Sequence, residues 1–150
     1  SQRLHSPFVD ADAQLEAEFG ISIAEMFARD GQAAFRDREA ACLSTLLNRP
    51  GPMVLATGGG VVLREANRLL LRQLGGLVVY LDVDAATLQR RLSANDGGRP
   101  SLTGTSVADE IPRVLSERHS LYPQTASVII DARRATAAVL EDISTAIATP

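Results

Sequence analysis

An apolar segment that ends in three glycines, Val-Leu-Ala-Thr-Gly-Gly-Gly at residues 54–60, limits the folds open to this chain. Its apolar start predicts a short buried strand, and the glycines predict a turn at the carboxyl end of that strand. Each glycine costs conformational entropy on folding, and a strand-to-helix turn needs one glycine or two. Three in succession therefore indicate that bare backbone approaches a ligand, whereas a simple tight turn is the structural alternative.

The composition predicts one globular domain over residues 1–150. With 45% hydrophobic residues and few aromatic ones, the chain can bury an aliphatic core. The net charge is -3 and the arginines are scattered, which argues against a nucleic-acid partner and favours small molecules. No stretch approaches the roughly 18 apolar residues that a membrane span requires. A single cysteine, Cys42, cannot form an internal disulfide and suits a reducing cytoplasm.

Strand and helix patterns alternate along the chain, which predicts an α/β fold with a mostly parallel sheet covered by helices. Ser22 and Glu25 form a capping box that opens one helix, and Asp84 can cap another. Residues 77–81 are a continuous apolar run, typical of a strand buried on both faces. A polar, glycine-rich stretch at about residues 94–105 is long enough to form a mobile lid. The predicted strands are residues 7–9, 53–56, 77–81 and 127–131, and the predicted helices are residues 13–19, the helix opened by Ser22, residues 32–47, 67–74 and 85–93, the helix opened by Ser106, and residues 136–147.

Two acidic residues, Asp10 and Asp12, follow the first predicted strand. If the strand geometry continues through them, both side chains point into the crevice at the carboxyl edge of the sheet. Paired carboxylates at that edge suit contacts with a metal ion or with a hydroxyl group. The alternative is that Asp12 only caps the helix that follows.

Arg36 and Glu39 lie three residues apart on a predicted helix, away from its apolar face. An arginine fork binds a carboxylate through charge-assisted hydrogen bonds, each worth about 1.5–3 kcal/mol. In such a site Glu39 would hold the fork in place. The alternative is a solvated ion pair that contributes roughly 0.3 kcal/mol.

Five segments, in this order, resemble shikimate kinase, a small phosphotransferase with a P-loop-type fold. They are Phe-Val-Asp-Ala-Asp at 8–12, Phe-Arg at 35–36, the glycine run, Arg-Pro-Ser-Leu-Thr-Gly at 99–104 and Arg-His-Ser-Leu-Tyr at 118–122. The resemblance implies a three-layer α/β/α fold and ATP-dependent phosphorylation of shikimate at its 3-hydroxyl, with Mg²⁺, in aromatic amino-acid (chorismate) biosynthesis. We expect a cytoplasmic monomer whose partners are shikimate and ATP.

The resemblance also assigns residues to the substrate. It makes Asp12 the acid that holds the substrate hydroxyl and takes its proton. It places two arginines, Arg36 and Arg118, on the substrate carboxylate. The backbone N–H groups that it brings to the substrate are those of Gly58, Gly59 and Gly60.

Three further residues acquire roles at the nucleotide from the same resemblance. Asp10 corresponds to an acid near the Mg²⁺-nucleotide. Arg99 corresponds to the lid arginine over the transferred phosphoryl group, where an arginine charge can contribute about 10³–10⁵ in rate. Arg134 lies at the adenine-stacking loop, where the match slips by one residue.

The sequence contains no lysine and no GxxxxGK[ST] motif, since all fifteen of its Lys and Arg residues are arginine. Shikimate kinases begin with a strand, this P-loop and a helix, and that strand is central in the family's sheet. Loss of a central strand would expose unpaired backbone, so we expect the printed sequence to be a trimmed version of a complete kinase.

Two other functions follow from the same residues. A chain without the P-loop would be an inactive domain that binds a small carboxylic acid as a sensor or regulator. A kinase of the related gluconate type is a third option, although the coincidence of Asp12, Phe35-Arg36 and Arg118, which the resemblance assigns to a cyclic substrate with a carboxylate, disfavours it.

Overall fold

The computed structural model of the protein describes residues 4–94 and 107–149. Its contacts divide the chain into two compact units, with the boundary between Leu74 and Gly75. The prediction of one domain over residues 1–150 stays a prediction. Arg99, Ser106 and all but the first residue of the predicted lid lie outside the described residues. Among the helices of the described residues, none has the length and apolar character that a membrane span requires.

The described part of the first unit places the ends of two parallel strands side by side. Strand β1 (Phe8–Asp10) pairs with β2 (Val54–Ala56), and Asp10 lies opposite Ala56. Parallel strands end at a common edge, so the residues that follow β1 and those that follow β2 come together there. The unit also contains α1 (Ala11–Phe19), α2 (Ile23–Leu47), a 3-10 helix (Val61–Leu63) and α3 (Glu65–Leu74).

Helix α1 begins directly after β1, which corrects the predicted geometry of the two aspartates. Asp10 ends the strand and is the N-cap of α1: its Oδ1 accepts hydrogen bonds from the N–H groups of Asp12, at 2.9 Å, and Ala13, at 3.2 Å. Asp12 is therefore helical, and the two side chains do not share one face of a strand. The alternative in which Asp12 caps the helix is also wrong, because Asp10 fills that position.

Helix α2 starts with the predicted capping box. The Glu25 N–H donates to Ser22 Oγ at 3.2 Å and the Ser22 N–H donates to Glu25 Oε2 at 2.8 Å; the hydrogen bonds from Ser22 hold the pKa of Glu25 below its usual range. Gly31, with a φ of 79°, interrupts the helical backbone, so the two helices predicted on either side of it are present as two parts of α2. The core of this unit contains Ala11, Leu15, Met26, Phe35, Cys42 and Leu46.

The described part of the second unit is built on β3 (Val79–Asp82) and β4 (Val128–Asp131), which are parallel. Asp84 caps the next helix as predicted, since its Oδ1 accepts from the Thr87 N–H at 2.8 Å. The core of this unit contains Val83, Ile130, Ala132 and Val139. Its helices are α4 (Ala85–Ala94), α5 (Val107–Arg118), α6 (Leu121–Thr125) and α7 (Thr136–Ala148).

The second unit differs from the sequence-based expectation in two respects. Helix α6 is not predicted, and its proline is tolerated because it lies in the first turn. Strand β3 is not buried on both faces: Leu81 is 48% exposed, and Ile129 of the paired strand is 52% exposed. A continuous apolar run therefore does not by itself establish burial on both faces.

Tyr80 and Tyr122 stack within this unit, with ring centroids 4.9 Å apart and planes inclined by 13°. Tyr80 Oη donates to Asp82 Oδ1 at 3.1 Å. Burial raises the pKa of Tyr80 to about 12 because it disfavours the charged phenolate, and the Asp82 carboxylate adds to this shift by accepting a hydrogen bond from the neutral hydroxyl and repelling the phenolate.

We expect the phenolate of Tyr80 to form only near pH 12. Folding raises this pKa above the usual value of about 10. The contribution of the neutral Tyr80 hydroxyl to the free energy of unfolding is therefore fully present below pH 10 and is lost as the pH rises toward 12. Ultraviolet titration of the wild type and of Tyr80→Phe measures the difference. The component with the high pKa should vanish in the variant, and its persistence would contradict the assignment.

Candidate functional site

Asp12 faces the glycine run at the common edge of β1 and β2. Gly58 comes so close that a Cβ atom placed on it would lie 3.2 Å from Asp12 Oδ1 and 3.6 Å from Glu39 Oε1. Two carboxylates thus border one point of the backbone. A side chain at position 58 would press on Asp12, so this carboxylate would have to shift to make room for it.

Arg36 and Glu39 form a buried ion pair on α2. Arg36 Nη1 donates to both carboxylate oxygens of Glu39, at 2.6 and 2.7 Å, and the two side chains are 11% and 6% exposed. The guanidinium carbon also lies 5.0 Å from the centre of the Phe35 ring. The alternative of a solvated pair is therefore wrong. Removing one member of such a pair strands a charge away from water, at a cost of about 3–5 kcal/mol.

Gly60 packs directly against the guanidinium of Arg36. A Cβ atom at this position would collide with both terminal nitrogens of that side chain. The requirement is one of space, since Gly60 has a φ of -86°, and the described glycines with left-handed backbone are Gly20, Gly31, Gly51 and Gly76. The backbone of Gly58 and Gly60 thus packs closely on Asp12 and Arg36, and the predicted approach of this backbone to a ligand stays a prediction.

This arrangement leaves Arg36 with capacity for a second anion. Glu39 engages Nη1, whereas the Nε atom is buried and has no hydrogen-bond acceptor among the described residues. A buried donor without an acceptor is costly, and a ligand oxygen would remove that cost. Arg36 at Gly60 and Asp12 at Gly58 therefore place a donor for a carboxylate and an acceptor for a hydroxyl at the same turn.

Arg118 ends α5 in the second unit and shares two properties with Arg36. The residue is 7% exposed, and its Nε atom has no acceptor within residues 4–94 and 107–149. Buried arginines are rare unless they are paired, so an unmatched donor here suits an anionic ligand. The predicted contact of Arg118 with a substrate carboxylate stays a prediction.

The residues predicted at the nucleotide have other contacts in the structure. Arg134 donates through Nε to the Asp131 carbonyl at 3.3 Å and pairs with Asp142, and its side chain is 45% exposed. Asp10 caps α1, as described above. In the part of the chain that the structure describes, no three His, Cys, Asp or Glu side chains cluster as a metal site. Mg²⁺ commonly needs only one or two carboxylates beside substrate phosphates, so a lone Asp10 is compatible with it.

Asn67 and Arg68, at the start of α3, donate hydrogen bonds to the backbone that follows the glycines. The sequence does not single out either residue. We call residues 58–63 the glycine turn. Asn67 donates to the carbonyl of Val61, and Arg68 donates to that of Val62. The available signal is an asparagine on the inward side of an amphipathic helix, because a buried amide needs partners.

Comparison with known proteins gives matches over nearly the whole chain. A family model described as shikimate kinase matches residues 1–148. Shikimate kinase 2 of Escherichia fergusonii is 41% identical to this chain over 142 residues, which cover 93% of this chain and 77% of that protein.

Two solved structures are similar in fold. The shikimate kinase from Acinetobacter baumannii in complex with shikimate has a TM-score of 0.85 and 30% identity, and the match covers 98% of this chain and 82% of that chain. The shikimate kinase from Bacteroides thetaiotaomicron has a TM-score of 0.86 and 25% identity, with 98% and 86% covered. These similarities confirm the α/β fold with parallel strands that the sequence predicts.

Proposed function

Since this chain belongs to the shikimate kinase family and has its P-loop-kinase-type fold, we propose that it transfers the γ-phosphoryl group of ATP to the 3-hydroxyl of shikimate. One observation carries this proposal. The guanidinium of Arg36 is buried, fixed by Glu39 and packed against the backbone of Gly60, and its Nε lacks an acceptor among the described residues. Such a group is prepared for the carboxylate of a small acid.

Arg36 binds the carboxylate of shikimate in this proposal. A charge-assisted hydrogen bond to a buried guanidinium is worth about 1.5–3 kcal/mol. Glu39 prevents the arginine from turning, so little side-chain entropy is lost when the substrate binds. The relative from Acinetobacter baumannii is described in complex with shikimate, which supports the same substrate for this chain.

Asp12 accepts the proton of the 3-hydroxyl. As that hydroxyl oxygen forms its bond to the γ-phosphorus, the bond between this phosphorus and the β,γ-bridging oxygen breaks, and ADP leaves. The hydroxyl proton passes to the Asp12 carboxylate, which is half-buried beside Gly58. A base placed in this way contributes about 10²–10⁴ in rate.

The remaining roles keep the assignments made from the sequence. Backbone N–H groups of Gly58, Gly59 and Gly60 contact the substrate. Arg118 binds the substrate carboxylate, and its burial and unmatched Nε support an anionic ligand. Arg99 stabilises the charge on the transferred phosphoryl group, and Arg134 contacts the adenine.

Mg²⁺ is the metal that this reaction implies, and Asp10 is the residue that would hold it. When bound to ATP, Mg²⁺ neutralises phosphate charge and keeps most of its ligands as water and phosphate oxygens. A single carboxylate fits that ligand set. The cap formed by Oδ1 fixes the orientation of the Asp10 side chain at the start of α1.

Neither alternative function gains support from the comparisons. The relatives and solved structures described above are named shikimate kinases, and none is named a sensor domain or a gluconate kinase. We place the enzyme in aromatic amino-acid biosynthesis, as a cytoplasmic monomer.

The reaction itself tests the proposal. The intact natural protein, with its mass determined on the same sample, is incubated with ATP, Mg²⁺ and shikimate, with D-gluconate as a parallel acceptor. We expect shikimate-dependent ADP formation and a phosphate monoester on the 3-hydroxyl, located by phosphorus NMR. Absence of shikimate-dependent turnover, or a preference for gluconate, would overturn the proposal.

A further inference from the structure

Three consecutive carbonyl groups of the glycine turn accept hydrogen bonds from two adjacent side chains of α3. Asn67 Nδ2 donates to the Val61 carbonyl at 3.1 Å. Arg68 Nη1 donates to the Val62 carbonyl at 2.7 Å and to the Leu63 carbonyl at 3.3 Å. Asn67 is 2% exposed, so its amide lies in the interior of the unit. The start of α3 therefore holds the second half of the turn from one side.

The same turn is bonded to the glycines through its N–H groups. The Val61 N–H donates to the Gly58 carbonyl at 3.1 Å, and the Leu63 N–H donates to the Gly60 carbonyl at 3.0 Å. Val61 and Leu63 are thus bound at their carbonyls by α3 and at their N–H groups by the glycines. A displacement of Asn67 or Arg68 would therefore displace Gly58 and Gly60 as well, through these two sets of hydrogen bonds.

The glycines have little room for such a shift. Gly58 already borders Asp12 and Glu39, and Gly60 already packs on the guanidinium of Arg36. Movement of the turn toward α1 and α2 would produce collisions, and movement away would open a gap between the backbone and these side chains. Strand β2 leads into the first half of the turn, and Asn67 and Arg68 hold its second half from the α3 side.

We propose that Asn67 and Arg68 are positioning residues, which hold the glycine turn so that its backbone meets the substrate in register with Asp12 and Arg36. The inference rests on the proposed function, because it concerns the same site. Neither residue takes part in the chemistry. Their loss therefore acts on the fit of shikimate to the turn and leaves ATP binding unchanged.

Asn67→Asp is the sharpest test for the first residue, because it keeps the size of the side chain and replaces the donor with an acceptor that repels the Val61 carbonyl. We expect the KM for shikimate to rise about tenfold, from loss of one hydrogen bond and a displaced turn, while the KM for ATP stays within about twofold. Gln73→Ala on the exposed part of α3 is the matched control and should match the wild type.

Arg68 gives a second pair of variants should Asn67→Asp fail to fold. Arg68→Met removes the donors and should raise the KM for shikimate, whereas Arg68→Lys retains a donor and should restore most of the affinity. A fall in melting temperature with an unchanged KM for shikimate in Arg68→Met would overturn the inference and leave a purely structural role. A wild type without shikimate kinase activity would instead overturn the proposed function.

Discussion

Arg36→Ala is expected to raise the KM for shikimate by about 10- to 150-fold, which corresponds to the loss of about 1.5–3 kcal/mol of charge-assisted hydrogen bonding. The turnover number should change less, because Arg36 binds the carboxylate in the ground state and in the transition state alike. The variant also leaves Glu39 buried without its partner, so a lower melting temperature should accompany the effect.

Two further variants separate binding from stability in this experiment. Arg36→Lys keeps the positive charge but not the planar fork, so we expect an intermediate KM with a smaller loss of stability. Arg29→Ala on the same helix removes an arginine whose side chain is 60% exposed and pairs with Asp30. That control should keep the wild-type KM, and an Arg36→Ala variant that also kept it would exclude Arg36 from the substrate site.

Asp12→Asn is expected to lower the turnover number by about 10²–10⁴, because the amide keeps the shape of the side chain and cannot take the hydroxyl proton. Binding of shikimate should change much less, since the amide oxygen still accepts a hydrogen bond. Steady-state kinetics together with calorimetric titration of shikimate would measure the two effects separately.

Asp37→Asn provides the matched control for Asp12→Asn. The Asp37 side chain is 71% exposed and pairs with Arg64, outside the contacts described for the site. Its replacement should leave the turnover number within about twofold of the wild type, as expected for an exposed ion pair. A turnover number that falls no further in Asp12→Asn than in this control would remove Asp12 from the role of base.

Features encoded by local spacing were predictable from the sequence. Two such features need only three residues of separation on a helix. They are the capping box of Ser22 and Glu25 and the ion pair of Arg36 and Glu39. The separate helices predicted on either side of Gly31 correspond to the two parts of α2, because a left-handed φ, as Gly31 has, is readily adopted only by glycine. The family resemblance extended these local signals to the whole fold.

Features that depend on distant parts of the chain were less accessible. The sequence could not decide whether β1 continues to Asp12 or ends at Asp10, since a difference of two residues in strand length changes which aspartate is the cap. The role of Asn67 depends on how α3 packs under the glycine turn, and the exposure of Leu81 depends on what covers its strand. Both are tertiary properties that a local pattern does not contain.

The central claim is that Arg36 binds the carboxylate of shikimate. A thermodynamic cycle that changes this side chain and this substrate group, singly and together, tests the claim most directly. Calorimetry would compare shikimate with its uncharged methyl ester, on the wild type and on Arg36→Met. The preference of the wild type for the acid should shrink by at least about tenfold in the variant, because the cycle isolates the interaction between the two groups. An undiminished preference for the acid in Arg36→Met would contradict the account.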